Sequence, residues 1–156
     1  MKGSQACILL TALLAVFIQI AQAQNITDPE ELFSEAEFFY LAEEYEEALY
    51  FYLQLVEQDP DQTNFNFKVG DTYLNIPGRE YMAIPYLEKA VENTSVKYRK
   101  RSFKEKKAPH YAWFSLGNAY RINNELDKAL TTYETFTSSD DFEGNYNLSI
   151  VEDEVM

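Results

Sequence analysis

Cysteine is all but missing from the chain: Cys7 is the only one in 156 residues. It lies in an apolar run from Ala6 to Ile20 and is preceded by "GSQA", without the small-residue box and longer upstream apolar stretch of a lipoprotein signal. The residues after that run hold no thiol, which excludes disulfides, thiolate zinc sites and cysteine nucleophiles there. Histidine is equally scarce, with His110 alone; its place at the start of a hairpin predicts a capping or solvent-facing role. Catalysis needs converging nucleophiles, acids and bases, and no glycine-rich phosphate loop, zinc spacing or calcium loop is present. Carboxylate pairs such as Glu43 with Glu44 and Asp140 with Asp141 fall at turns and helix ends. The chain therefore reads as non-enzymatic, with no catalytic residue, no cofactor and no metal. Cations are also few, 13 Lys and Arg against 26 Asp and Glu, a formal net charge of −13. Nucleic acid as the main partner is excluded, because binding it needs a broad basic surface.

Long hydrophobic runs are limited to one. Residues 1–23 have a single early lysine, the run from Ala6 to Ile20, and then Ala21, Gln22 and Ala23. That is the pattern of a cleavable secretory signal, with cleavage expected after Ala23. An uncleaved anchor is the rival reading, but the run is shorter than the roughly 20 residues a spanning helix needs. Residues 24–28 then form a short linker. The 133 residues after the signal fit one domain, carry a formal charge of −14, and belong to a chain that is 15% aromatic. Disordered acidic chains are poor in aromatics, so this one is expected to fold. Sequons stand at Asn25, Asn93 and Asn147, and matter only in a eukaryotic secretory pathway.

What the sequence does have is self-similarity. From Glu30 to Pro60, apolar residues at Leu32, Phe33, Ala36, Phe39 and Tyr40, then at Ala48, Leu49, Tyr52, Leu55 and Val56, keep helical spacing. Two helices meeting near Glu43 to Tyr45 make an antiparallel hairpin. A second unit repeats it with Gly70 for Ala36, Tyr73 for Phe39, Ala83 for Ala48 and Leu87 for Tyr52. A third has Gly117, Tyr120, Ala129 and Tyr133. The small-to-small spacing is twelve residues in the first and third units and thirteen in the second, where the extra residue falls at "IPGRE".

This pattern resembles the tetratricopeptide repeat, a helix-turn-helix unit of about 34 residues. Trp113, Leu116, Gly117, Tyr120, Ala129 and Tyr133 carry the match in the third unit, and Leu32, Ala36, Phe39, Ala48, Tyr52 and Pro60 in the first. Departures are Glu35 at the usual Leu place, Leu55 and Phe136 at the second Ala place, and Asp141 at the Pro place. The resemblance implies an all-α, right-handed superhelical array of about three hairpins over 29–141, followed by a partial fourth helix in 142–156. A helix-interior glycine costs about 1 kcal/mol relative to alanine. Gly117 is therefore expected to let its helix approach Ala129 while Tyr120 and Tyr133 fill the space beside them.

Stacked repeats of this kind present a concave surface from their first helices. The register puts Glu37, Tyr40, Lys68, Asp71, Asn75, Asn118 and Arg121 toward it, either as a peptide-binding groove or as ordinary wet surface. Asn118 and Arg121 are suited to a peptide backbone or carboxylate. Glu37 and Asp71 break the lysine and asparagine clamp of chaperone-binding repeats. Between the second and third units lies an insertion of about twelve residues, within 97–109, holding Lys97, Arg99, Lys100, Arg101, Lys104, Lys106 and Lys107. It reads either as a solvated connector offsetting the acidic repeats or as a docking site for an acidic partner or lipid headgroup.

Beyond the repeat, "RSFKEKKAPHYAWFSLGNAYRINNELDKALTTYETF" resembles the N-terminal repeat region of Bacteroidetes envelope proteins that combine a signal peptide, tetratricopeptide repeats, a PD40 propeller and an OmpA-like domain. No propeller or peptidoglycan-binding segment is found, so wall binding is not carried over. The resemblance implies a periplasmic or outer-membrane-associated interaction scaffold with a protein or peptide partner, any membrane or cell-wall association being indirect. The alternative is a structural envelope component anchored through its basic connector. The segment "NYNLSIVEDEVM" starts like a further helix and stops without a polar capping helix, which reads as truncation or as a groove closed by homodimerisation.

Overall fold

A computed structural model describes residues 27–138. The expected signal peptide, the sequons at Asn25 and Asn147, Asp141 and the further helix lie outside the described residues. Among the described residues six α-helices form three hairpins: α1 (Pro29–Leu41) with α2 (Tyr45–Gln58), α3 (Thr63–Leu74) with α4 (Ile84–Ala90), and α5 (Ala112–Ile122) with α6 (Leu126–Thr137). A 3-10 turn, Glu80–Ala83, leads into α4. Between the second and third hairpins, β1 (Thr94–Ser95) and β2 (Ala108–Pro109) pair in parallel, Thr94 with Ala108 and Ser95 with Pro109. No helix among the described residues is long and apolar enough to cross a membrane.

The start of α1 follows from "TDPEEL". Asp28 accepts hydrogen bonds from the backbone N–H groups of Glu30 and Glu31, Pro29 sits at a position needing no N–H, and the two glutamates face the positive helix end. Each hairpin turn places one residue in the left-handed region: Glu43 at φ 61°, Gly78 at φ 82° and Asn124 at φ 61°. Glycine and asparagine take that conformation readily, whereas glutamate is strained there.

The repeat's small residues lie in the interior. Ala36, Ala48, Ala83, Ala129, Gly70 and Gly117 are all buried, and Trp113 packs partly buried against the core. What Gly117 accommodates differs from expectation. The atoms nearest to where its Cβ would stand all belong to the Tyr133 ring, so the glycine makes room for an aromatic side chain rather than for the backbone at Ala129. A Cβ at Gly70 would likewise lie 2.5 Å from Leu87 Cγ, the residue that replaces Tyr133 in its hairpin. His110 also departs from its expected role. It is buried, its Nε2 lies 3.2 Å from the Phe136 carbonyl, and its ring stacks on Phe136 at 5.4 Å.

Candidate functional site: the connector-covered groove

Helix α3 is the middle first-helix of the array, and its residues from Thr63 to Gly70 are all buried. One face packs in the hairpins. The other is covered by the connector, which is neither helical nor a free solvated arm. Thr63 Oγ1 donates to the Asn93 carbonyl at 2.8 Å and accepts from Ala108 N–H at 3.1 Å. Asn64 N–H donates to the Lys106 carbonyl, and Asn64 Nδ2 to that of Glu105. These bonds, with the β1–β2 bridge, close the base of the loop.

Its interior is aromatic. Phe103 stacks on Phe65 at 6.2 Å and meets Phe33 at 6.0 Å. Tyr98 donates to Asn64 Oδ1 at 2.8 Å and stands edge-on to Phe67. Glu105 is buried within the loop and accepts from the N–H groups of Arg99, Lys106 and Lys107. Burial alone would raise its pKa, but the backbone bonds from Lys107 and Arg99, with the Arg99 guanidinium, bring it below the usual carboxylate range.

The seven connector cations all belong to exposed residues. Lys106 Nζ lies over the rings of Phe103 and Phe65, at 5.4 and 5.6 Å, a cation–π contact that helps close the aromatic cluster. Arg99 Nε is 3.5 Å from Glu105.

Beneath the loop, four of the seven groove candidates come together. Glu37 and Lys68 form a buried ion pair at 2.5 Å. Tyr52 donates to Glu37 at 2.6 Å, and Lys68 Nζ also donates to the Lys100 carbonyl at 3.1 Å. This pair is therefore satisfied within the chain. Tyr40 donates to half-buried Asp71 at 2.6 Å. Burial pushes the Asp71 carboxyl up, opposed by the Tyr40 bond and by Lys68 and Lys100. Burial, reinforced by nearby carboxylates, holds the hydroxyls of Tyr40, Tyr52 and Tyr98 far above the ordinary tyrosine range, so they act as permanent donors.

The other three candidates stand apart. Asn75 is exposed and bonds the Asp71 carbonyl one turn back. Asn118 accepts from Tyr133 at 2.6 Å, and Arg121 is exposed. Tyr120 reaches into the preceding hairpin and donates to Glu88 at 2.5 Å.

One rule emerges. The residue after each repeat's small position, Glu37, Asp71 or Asn118, accepts a tyrosine hydroxyl. In the first and third hairpins the donor is the tyrosine of the same hairpin, Tyr52 or Tyr133. In the second, Leu87 has no hydroxyl and Tyr40 of the first hairpin supplies it.

A cleft of about 480 Å³ stands open between α1, α3 and the connector. Aromatic rings of Tyr40, Phe67, Tyr98 and Tyr111 wall it together with Pro109, and Lys68, Asp71 and Lys100 supply its charge. The arrangement has donors, acceptors and stacking faces, and no cluster of three metal-ligating groups occurs among the described residues.

Sequence reasoning missed Thr63, Asn64, Phe103 and Glu105. One signal was available. Phe65 and Phe67 are two apart on a helix and cannot share a face, so one of them must meet something outside the hairpin.

The family model of the tetratricopeptide repeat matches residues 110–141. No curated protein matches the chain. The match and the three described hairpins agree on an all-α array of tetratricopeptide hairpins. Repeats of this family generally mediate protein–protein interaction and are typically non-enzymatic scaffolds.

Proposed function

We propose that this chain is a non-enzymatic interaction module of the bacterial cell envelope that holds its partner in the aromatic cleft between α1, α3 and the connector. The observation that carries the reading is the cleft itself. The connector occupies the groove side of the first two hairpins, yet leaves a concavity with aromatic walls and one half-buried carboxylate. Such sites suit an extended peptide, whose side chains stack while its backbone meets polar groups. Placement outside the cytoplasm is supported by the signal-like pattern of residues 1–23. The resemblance read in residues 101–136 to Bacteroidetes envelope repeat proteins underlies the further reading of the chain as an arm of a periplasmic or outer-membrane-associated assembly.

The test places a photo-crosslinking phenylalanine derivative at Tyr111, in the cleft, and separately at Tyr50, exposed on α2, in source cells that are then fractionated. A discrete adduct from position 111 in the envelope fraction supports the reading. Adducts only from position 50, or protein confined to the cytoplasm, would contradict it.

A further inference from the structure

Between Lys97 and Lys107 the connector holds seven cations and one carboxylate, a formal +6. The rest of the chain holds six cations and 25 carboxylates, a formal −19. A loop free to move would spread its like charges or lay them on the acidic hairpins. This loop is fixed. The β1–β2 bridge and Thr63 close its base, Glu105 holds three of its backbone N–H groups, and Phe103 is seated on Phe33 and Phe65. All seven cationic residues are nevertheless exposed. Of these seven, only Arg99 has an ion pair among the described residues, and that pair is with the loop's own Glu105. The fold thus spends its aromatic side chains and Glu105 on holding the loop and leaves the other six cations outside any ion pair among the described residues.

We infer that the outward face of the connector is a docking surface for an acidic polypeptide segment of the partner. The inference rests on the reading of the chain as an interaction module and supplies the chemistry of what it binds. A flat anionic bilayer fits less well. Tyr98 and Phe103 are turned inward, so the loop has no aromatic to insert, and a bilayer would face a body of −19. Nucleic acid meets the same repulsion along its whole length. A peptide strand carries its carboxylates on a narrow backbone and can approach the exposed Lys97, Lys100, Arg101 and Lys104 over a far smaller area than a bilayer or a duplex. Lys100 also borders the aromatic cleft, so one strand can cross from the basic face into it.

The test is fluorescence anisotropy of the full chain with a fluorescein-labelled glutamate-rich peptide and its glutamine-substituted twin, at about 0.15 M salt. The comparison protein carries Lys97→Gln, Lys100→Gln, Arg101→Gln and Lys104→Gln, which leave the Glu105 and Phe103 anchors intact. The expected result is preference for the acidic peptide, weakened about tenfold or more in the variant, as four exposed charge contacts would give, with an unchanged melting temperature. Equal binding of both peptides, equal binding by the variant, or stronger binding to phosphatidylglycerol vesicles than to the peptide would overturn the inference. So would sedimentation showing that the cations serve only to join two copies of the chain. Crosslinking from position 111 that persists in the quadruple variant would leave the cleft reading standing while this one fails.

Discussion

The first and third hairpins use one hydroxyl scheme with different acceptors. In the first, Tyr52 donates to the carboxylate of Glu37; in the third, Tyr133 donates to the neutral amide of Asn118. The carboxylate brings further requirements. Buried, it needs a counter-charge, which Lys68 supplies from the next hairpin, and Lys68 in turn needs an acceptor for a second N–H, which the connector supplies at Lys100. The amide needs no counter-charge, and Arg121 of the same helix stays exposed. In the first hairpin the carboxylate is thus tied to the next hairpin and the connector, whereas in the third the amide oxygen accepts from Tyr133 and Arg121 has no ion pair among the described residues.

The widest separation between the two regions is expected from removing their cations. Lys68→Met would leave Glu37 buried and unpaired at a cost of about 3–5 kcal/mol, while Arg121→Met should stay within about 0.5 kcal/mol. Urea unfolding measures both, and similar costs would mean that Lys68 is not buried in solution. Next, Gly117→Ala should destabilise by about 1–3 kcal/mol because the added methyl meets the Tyr133 ring, although helix propensity alone favours alanine by about 1 kcal/mol. A stabilised Gly117→Ala protein in thermal melts would show that the ring sits elsewhere. Smaller again is the contrast between hydroxyl deletions. Tyr52→Phe loses a bond to a charged acceptor, about 1.5–3 kcal/mol, and Tyr133→Phe one to a neutral acceptor, about 0.5–1.5 kcal/mol. Reversal of that order in paired unfolding curves would remove the distinction between the hairpins. Least in energy is the acid response of the connector. With its folded pKa lowered, Glu105 stabilises the loop above the unfolded carboxylate range of about 4.3 and loses that contribution as pH falls through the folded value. Protection factors of the Arg99, Lys106 and Lys107 amides, taken against the intrinsic exchange rate at each pH, should fall on acidification, and Glu105→Gln should abolish that dependence.

The hairpins were legible because their interiors are periodic: Ala36 with Ala48, Gly70 with Ala83 and Gly117 with Ala129 mark helix pairs at nearly constant spacing. The aromatic that fills the space over Gly117 was legible as a repeat position, but not as the group the glycine serves. The groove side was not legible, because its chemistry comes from an insertion outside the repeat. A run of seven cations reads as solvated surface until the inward pull of Phe103, Tyr98 and Glu105 is known, and those three are spaced too irregularly to show a period. Glu37 and Lys68 looked like groove residues because each faces that side. That they face each other depends on how two hairpins stack, which no single repeat encodes.

The most direct test of the covered groove is a set of nuclear Overhauser contacts from the Phe103 ring in the labelled full chain. Contacts to Phe33 and Phe65, with slow exchange of the Lys106 and Lys107 amides, are the expected result. A Phe103 ring without contacts to either helix, and connector amides exchanging as fast as an unstructured peptide, would mean that the groove is open and that the closed pairing of its residues is wrong.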